Sequence, residues 1–341
     1  MQILPKFLNT LLIFIFSTTA KGLTMWLYLA ALLPVYFLIR WYRERQTVPN
    51  LTEKYVLITG CDSGFGNLLA QQLDRRGFHV LAACLTKKGE DQLKEASSQR
   101  LQTVILDVTN SESVTTMAHW VKQQVGDRGL WGLVNNAGIA TPIAPNVWLT
   151  KRDFQRVLDV NLLGLIDVTL SLTPLVMTAQ GRIINVSSIV GRIPLSGGGY
   201  SISKFGVEAF SDSLRRELNP FGVKVVMIEP GFFKTAVTDC QIHQNNLTQA
   251  WEQASPEVKQ SYGKQYFDDA YKKIKITTAI SNTNLSLVTD CMEHGLTALR
   301  PRTRYSAGWD AKLIFLPLSY MPSVVTDTLL LLRAPKPRRE S

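Results

Sequence analysis

Short apolar runs alternate with longer amphipathic stretches from Tyr55 to about Gly308. The runs are rich in β-branched residues and apolar on both faces, which is typical of parallel strands that helices cover on both sides. Strands are predicted over Tyr55–Thr59, His79–Cys84, Thr103–Asp107, Trp131–Asn135, Arg182–Ser187, Val223–Glu229 and Arg304–Ala307. Helices are predicted over Asn67–Arg76, Ser111–Val125, Asp153–Met177, Ser203–Leu218 and Leu285–Leu299. The pattern therefore predicts a single α/β domain over residues 53–310, built on a doubly wound parallel sheet.

The alternation is interrupted over residues 236–283. This segment is polar, rich in Gln, Asn and Lys, and carries scattered aromatic residues, among them Trp251, Tyr262, Tyr266 and Phe267. A long insertion in a compact α/β domain is usually functional. The segment is therefore predicted to form a lid over a binding site.

The N-terminal residues 1–48 are predicted to form a membrane anchor. Met25–Ile39 is a nearly unbroken apolar run that arginines close, and aromatic residues bracket it as they do where a helix meets the membrane interfaces. A cleaved signal peptide is the alternative, but no small-residue cleavage site follows the run. Because the run is short of the ~20 residues of a perpendicular spanning helix, a tilted span and an interfacial helix both fit.

The C-terminal tail, residues 311–341, is also apolar. Leu313–Leu318 and Val324–Leu332 are apolar, and Arg333–Arg339 is basic. Contact with a membrane and packing against the domain are both consistent with this pattern.

The net charge of +10 and the pI of about 9.4 raise the question of an acidic partner. The Lys and Arg residues are spread along the chain, with clusters beside the apolar segments, which favours a membrane surface over nucleic acid. The four Cys form no CxxC pair and the four His form no metal-ligand spacing, so neither a disulfide framework nor a metal site is predicted.

A glycine-rich turn, TGCDSGFG at Thr59–Gly66, follows the first predicted strand directly and precedes a helix. Glycines let the backbone approach a pyrophosphate closely, and the N-terminus of the next helix offers it N–H donors. A bare tight turn is the alternative interpretation. The strand–turn–helix context favours a dinucleotide site of the Rossmann type, with Gly60, Ser63, Gly64, Phe65 and Gly66 as candidate cofactor-binding residues.

Tyr200 and Lys204, in the sequence YSISK, lie four residues apart and so on one face of a helix. A nearby ammonium group favours tyrosinate, which lowers a phenol pKa of ordinarily ~10 and makes a base near neutral pH. Tyr271 and Lys275 have the same spacing in the lid and are predicted to be a solvated helical pair. Only Tyr200 follows a strand that ends in NVSS at Asn185–Ser188, where a hydroxyl could bind the reacting oxygen.

These motifs together resemble the short-chain dehydrogenase/reductase family. The matching elements are the GxxxGxG spacing, NNAG at Asn135–Gly138, NVSS, YSISK and the turn PGFFKT, in family order over roughly Tyr55–Thr235. The resemblance implies a catalytic set of Tyr200, Lys204, Ser188 and Asn161, in which Asn161 relays protons to solvent. Ser188 is twelve residues before Tyr200, one fewer than is usual in the family, which implies a shorter loop. The implied cofactor contacts also include Asp107, Val108, Asn135, Ala137, Gly138, Tyr200, Lys204, Pro230, Gly231 and Thr235.

The chain from Met25 onward resembles the microsomal retinol and hydroxysteroid dehydrogenase branch of that family. That branch implies NAD-linked oxidation of all-trans-retinol and of 3α- and 17β-hydroxysteroids at the endoplasmic reticulum membrane, and retinol and steroid remain alternatives. Phe232 and Phe233 are expected to line an apolar substrate pocket together with Ser188. The resemblance also implies a homodimer through the helices that begin at Asp153 and Ser203.

The choice of cofactor is less direct. NAD enzymes usually carry an acidic residue at the end of the second strand, where this chain has Cys84 followed by Lys87 and Lys88. The two lysines alone favour NADP, whereas the resemblance favours NAD. We therefore expect NAD to be the cofactor. An NADPH-dependent carbonyl reductase of retinal or steroids is the alternative function. A non-catalytic lipid-binding protein of the same fold is a more distant one, because both Tyr200 and Lys204 are present.

Overall fold

The computed structural model of the chain describes residues 32–332 and 334–337. The chain divides into two compact units. Among the described residues, the smaller unit holds residues 32–48 and Ala298–Arg300, and the larger unit holds the residues from Pro49 onward apart from those three.

The larger unit is built on a parallel sheet. Seven strands are found in the described part of the chain: β1 (Tyr55–Thr59), β2 (His79–Cys84), β3 (Leu101–Ile105), β4 (Gly132–Asn135), β5 (Arg182–Val186), β6 (Lys224–Pro230) and β7 (Arg304–Ala307). Their order across the sheet is β3-β2-β1-β4-β5-β6-β7, and every neighbouring pair is parallel. The order reverses between β1 and β4, and the crevice at the carboxyl ends of the strands beside such a switch is where ligands bind in open α/β sheets.

Helices connect the strands. They are α1 (Gly64–Arg76), α2 (Lys87–Glu95), α3 (Ser111–Val125), α4 (Lys151–Leu158), α5 (Leu165–Thr178), α6 (Gly199–Leu218), α7 (Cys240–Gln253), α8 (Pro256–Ile280), α9 (Ser286–Thr297) and α10 (Ser323–Leu331). A π-helical segment, Asp159–Gly164, joins α4 to α5, and a second one, Ala311–Phe315, follows β7. The predicted α/β class and parallel sheet are confirmed.

Several predicted bounds are wrong by a few residues. The third strand ends at Ile105 rather than Asp107, and the first helix begins at Gly64 rather than Asn67. The helix predicted over Asp153–Met177 begins at Lys151, because Thr150 and Asp153 form a capping box one turn earlier. It is also interrupted by the π-helical segment, which periodicity does not reveal.

The sheet is covered by an apolar layer on each face. On one face, buried residues of α1 and α9 such as Leu69, Leu73 and Met292 pack against β1, β2 and β6. On the other face, buried residues of α3, α5 and α6 such as Val121, Leu172 and Leu214 pack against the sheet. Burying a Leu or Met side chain contributes about 1.5–3 kcal/mol. Double coverage explains why strands such as β1 and β5 are buried along their full length.

The smaller unit contains a helix over residues 32–45. Its apolar side chains are exposed, with Leu32 at 61% and Leu38 at 64% of their full accessible area. An isolated antiparallel bridge pairs Thr47 with Ala298 after this helix. The rest of the predicted anchor, residues 1–31, lies outside the described residues.

Within the described ranges, one helical stretch, Lys151–Thr178, is long and apolar enough to cross a membrane, with a mean hydropathy of 1.7. Its residues Val168, Leu172 and Val176 are fully buried against the sheet. We therefore assign it to the core of the domain.

The C-terminal tail divides between packing and exposure. Ala311, Phe315 and Leu316 pack with Tyr200 and with the turn that follows β5. Other residues of the tail, Leu313, Val324 and Leu332, are exposed by 74%, 72% and 73%. Packing against the domain is therefore observed for part of the tail, and membrane contact stays a prediction for the exposed residues.

Candidate active site

The glycine turn after β1 adopts a conformation that excludes side chains. Gly60 and Gly64 have φ angles of +71° and +63°, which favour glycine. A Cβ atom on Gly60 would lie 2.8 Å from the Cα atom of Ala137, and one on Gly66 would lie 2.4 Å from the Gly60 oxygen. The turn therefore requires glycine at these positions.

Thr59 and Asn136 fix the turn against the end of β4. The Thr59 hydroxyl accepts hydrogen bonds from the backbone N–H groups of Asn136 and Ala137 at 3.0 and 3.1 Å. In return, the Asn136 amide donates to the carbonyl oxygens of Thr59 and Gly60 at 3.0 and 3.1 Å. Neither residue was singled out from the sequence, although both stand inside recognised motifs.

The N-terminus of α1 is suited to an anion. Ser63 occupies the N-cap position but makes no side-chain cap, whereas Asn110 caps α3 by accepting from Glu112 and Ser113. A helix start without a side-chain cap leaves N–H donors and partial positive charge for a ligand. The glycine turn and this helix start together fit the pyrophosphate of a nicotinamide dinucleotide.

Asn135 is part of the sheet's buried polar core. Its amide donates to Thr169 Oγ1 and to Asn185 Oδ1, both at 2.8 Å, and Asn185 donates in turn to Ser211 at 2.9 Å. These groups cross-link β4, β5 and the helices α5 and α6. Asp107, by contrast, is exposed, and its carboxylate accepts from the N–H and hydroxyl of Thr109.

Tyr200 and Lys204 lie on the first two turns of α6, as their spacing predicts. Lys204 is 5% exposed, its Nζ atom donates to the Val186 oxygen at 2.8 Å, and it lies 5.7 Å from the centre of the Tyr200 ring. Burial lowers the pKa of Lys204 to about 8, and the negative charge of Glu208 acts in the opposite direction. Burial also raises the pKa of Tyr200.

Ser188 lies beside Tyr200 despite the shorter loop. A hydrogen bond from the Ser188 side chain lowers the pKa of Tyr200, opposing the effect of burial. The Pro230 oxygen, 3.4 Å from the Ser188 hydroxyl, is a second acceptor for its one proton, and the hydroxyl accepts from Val190 N–H at 3.3 Å. Ser187 points elsewhere, towards the Lys204 carbonyl oxygen. The structure thus brings Ser188, Tyr200 and Lys204 together at the carboxyl end of β5.

Asn161 lies in the π-helical segment and is 1% exposed. Its side chain bonds both backbone groups of Ile139 at 2.8 Å and donates to Ser203 Oγ at 3.0 Å. Ser203 in turn donates to the Tyr200 carbonyl oxygen at 2.7 Å. Asn161 therefore connects the segment after β4 to the helix that carries Tyr200.

The turn after β6 faces the glycine turn. A Cβ atom on Gly64 would lie in van der Waals contact with Thr235, at 3.7 Å, and the rings of Phe65 and Phe233 are 5.7 Å apart. Pro230 is the last residue of β6, and Gly231 binds the Ala307 oxygen at 2.9 Å.

The two phenylalanines of this turn have different environments. Phe233 is 2% exposed and belongs to the core beneath the sheet, so its packing is that of a core residue. Phe232 is half-buried and contacts Phe315 at 5.7 Å between ring centres. Its N–H donates to Asp310 at 2.7 Å, and Asp310 was not singled out from the sequence.

The predicted lid consists of α7 and α8, with a kink at Gly263, where φ is +75°. Its aromatic residues pack around Trp148, whose ring lies 4.8 Å from Trp251 and 5.3 Å from Tyr262. The segment over residues 236–283 therefore shares a small apolar core with the loop that contains Trp148, and its role as a lid stays a prediction. Tyr271 packs at its edge, and Lys275 is exposed, unlike buried Lys204.

A carboxylate from the glycine turn, that of Asp62, lies next to the end of β2. Cys84 is fully buried, and burial raises the pKa of its thiol to about 12, so it stays neutral. Asp62, from the glycine turn, accepts hydrogen bonds from Leu85 N–H and Thr86 N–H. Lys87 is paired with Glu90 at 2.8 Å and Asp91 at 3.1 Å, which does not favour its predicted alternative role at a 2′-phosphate.

A partly buried ionic cluster joins α6 to β6 and β7. Arg304 of β7 pairs with Glu208 and Asp212 of α6 and with Glu229 of β6, which is 1% exposed. Arg192, in the loop after β5, also reaches Glu229, at 3.3 Å. Removing one partner of such a cluster leaves a buried charge uncompensated.

The sheet order, the glycine turn and the Ser188–Tyr200–Lys204 group define a dinucleotide-binding oxidoreductase of the Rossmann type. A family model described as short chain dehydrogenase matches residues 54–246. The chain belongs to the short-chain dehydrogenase/reductase family, and it is an NAD(P)-dependent oxidoreductase.

Proteins of known name agree with this assignment. The chain is 60% identical to retinol dehydrogenase 16 of Homo sapiens over 92% of its own length and 99% of that protein. It is 58% identical to 17-beta-hydroxysteroid dehydrogenase type 6 of Homo sapiens, with the same coverage. A short chain dehydrogenase/reductase from Burkholderia phymatum, solved with NAD, has the same fold at a TM-score of 0.63 and 18% identity, covering 84% of this chain and 98% of that one.

Proposed function

We propose that this protein oxidises lipophilic alcohols with NAD, the substrates being all-trans-retinol and 3α- or 17β-hydroxysteroids such as androstanediol. The observation that carries the proposal is the grouping of Ser188, Tyr200 and Lys204 at the carboxyl end of β5, in a sheet whose first strand leads into a glycine turn and a helix without a side-chain cap. The names of the retinol and hydroxysteroid dehydrogenases at 58–60% identity support the substrate class.

The proposed proton path uses three side chains. Ser188 Oγ donates a hydrogen bond to the alcohol oxygen and so holds it beside Tyr200. Tyr200 Oη accepts the hydroxyl proton, and bound NAD supplies the acceptor for the hydride that leaves the same carbon. The Lys204 ammonium, 5.7 Å from the centre of the Tyr200 ring, is proposed to favour the tyrosinate form and so to oppose the rise of the Tyr200 pKa on burial. Asn161 is proposed to position this group and to connect Lys204 with solvent.

The cofactor is proposed to occupy the glycine turn and the neighbouring strand ends. Gly60, Gly64 and Gly66 allow the backbone approach, and the N-terminus of α1 meets the pyrophosphate. We propose that Asp107 and Val108 contact the adenine, that Ala137 and Gly138 line the middle of the cofactor, and that Thr235 contacts the nicotinamide carboxamide. NAD is preferred because Lys87 is already paired with two carboxylates.

The protein is proposed to act at the endoplasmic reticulum membrane, where lipophilic alcohols concentrate. Support comes from the helix over residues 32–45, which exposes apolar side chains, and from the apolar residues exposed in the tail. Arginines lie at the end of the N-terminal helix, and the basic stretch Arg333–Arg339 follows the apolar tail. Both could bind anionic lipid headgroups.

One assay tests both substrate and location. Membranes from cells that express the chain are washed with alkaline carbonate and supplied with all-trans-retinol or 3α-androstanediol, with NAD or NADP. We expect NAD-dependent oxidation of the alcohol, and we expect this activity to remain in the washed membranes. Faster turnover with NADPH and retinal would favour the carbonyl reductase instead, and activity released by the wash would contradict the membrane location.

A homodimer is proposed from the apolar surface of α5 and α6. Leu170 is 59% exposed and Ile202 is 52% exposed, although both lie on helices whose other faces are buried. In the detergent-solubilised chain we expect sedimentation at twice the protomer mass, and monomer in an Ile202→Glu variant. Wild-type protein that sediments only as a monomer would refute the dimer.

A further inference from the structure

The carboxylate of Asp62 is fixed at the end of β2. Its Oδ1 atom accepts from Thr86 N–H at 2.9 Å and from the Thr86 hydroxyl at 2.6 Å, and its Oδ2 atom accepts from Leu85 N–H at 2.8 Å. Gly89 packs so closely against it that an added Cβ atom would lie 2.5 Å from Oδ1. The carboxylate is therefore held in one place by the start of α2.

The position of the Asp62 carboxylate, at the end of the second strand, is the one that lies near the adenine ribose in dinucleotide-binding sheets. In dinucleotide-binding sheets an acidic side chain at the end of the second strand accepts a hydrogen bond from the 2′-hydroxyl of the adenine ribose. Cys84 holds that strand position and offers only a buried neutral thiol. A carboxylate can accept about four hydrogen bonds, and the three formed by Asp62 leave one acceptor position on Oδ2.

The surrounding charges also oppose a 2′-phosphate. Glu90 and Asp91 follow in the first turns of α2, and both engage Lys87. The Thr86 side chain already accepts from Gly89 N–H and so caps this helix, unlike the start of α1. Lys88, also in the first turn of α2, is exposed.

We propose that Asp62 selects NAD over NADP, accepting a hydrogen bond from the ribose 2′-hydroxyl and repelling a 2′-phosphate. The inference rests on the proposed use of NAD. It assigns to the glycine turn the task that the second strand ordinarily performs.

The first test uses the unaltered protein and needs no turnover. NADH binding is followed by fluorescence, and it is competed by adenosine 5′-monophosphate or by adenosine 2′,5′-bisphosphate. We expect the bisphosphate to compete at least about tenfold more weakly, since the added phosphate meets the carboxylate. Equal or stronger competition by the bisphosphate would overturn the proposal.

The second test compares Asp62→Asn with Asp127→Asn, which removes the same charge from the exposed turn after α3. Asp62→Asn should raise affinity for NADPH relative to NADH by about tenfold or more, and Asp127→Asn should leave the ratio within about twofold. An unchanged ratio in Asp62→Asn, or equal loss of both dinucleotides, would show that Asp62 only supports the loop. Intact selectivity without alcohol oxidation would instead refute the proposed substrates and leave this inference standing.

Discussion

A Tyr200→Phe variant is expected to lose alcohol oxidation by on the order of 10³-fold while it retains NADH binding. The phenol is the group proposed to accept the substrate proton, and positioned acid–base groups contribute about 10²–10⁴-fold. Phenylalanine preserves the ring that packs against the cluster of Ile189, Val190 and Ala311 and removes only the hydroxyl next to Ser188. Initial rates with all-trans-retinol and androstanediol measure the loss, and NADH fluorescence titration measures the retained binding.

The chain contains a matched control for this variant. Tyr271 also precedes a lysine by four residues, but it packs at the edge of the lid's aromatic core and Lys275 is exposed. Tyr271→Phe should therefore leave turnover within about twofold of the unaltered protein. Comparable rates for Tyr200→Phe and wild type would remove Tyr200 from its proposed role, whatever the control does.

Much of the fold follows from the chain's own pattern. Doubly covered strands must be apolar on both faces, and β1 and β2 therefore begin and end where the sequence predicts. The Tyr200–Lys204 pair is equally local, because residues four apart on a helix share a face. The π-helical segment around Asn161 is not visible in this way, since its cause is the fit of a buried amide to the backbone of Ile139.

Residues that act across the sheet are harder to find from sequence. Asp62 reaches the end of β2 because Thr59 pairs with Ala83, so that Asp62 and Thr86, each three residues farther on, leave the sheet side by side. Asp310 reaches the turn after β6 because β7 pairs with β6 and places Gly308 next to Gly231. Strand register, which a single sequence does not specify, decides both contacts.

A Lys204→Met variant is expected to be inactive and yet more stable than the wild type. Lys204 is 5% exposed, and burial lowers its pKa from the ordinary 10.5 to about 8, so at neutral pH the fold contains a poorly solvated cation. Each pKa unit corresponds to about 1.4 kcal/mol. After subtracting about 1 kcal/mol for the lost hydrogen bond to Val186, removing the charge should add about 2 kcal/mol to the free energy of unfolding. Denaturant titration in detergent, read by proteolysis, measures this gain.

The pH dependence of that gain identifies its cause. Below pH 8 both folded and unfolded Lys204 carry a proton, so the wild type bears the full cost of the buried cation. Between pH 8 and 10.5 the folded protein releases the proton first, and wild-type stability rises with pH relative to the methionine variant. The stability difference should therefore shrink over this window, while Lys275→Met, which removes an exposed lysine, should show none. If the difference in free energy of unfolding between the two proteins stays constant from pH 7 to 10, methionine stabilises the fold by packing alone. The buried charge of Lys204 would then not destabilise the wild type.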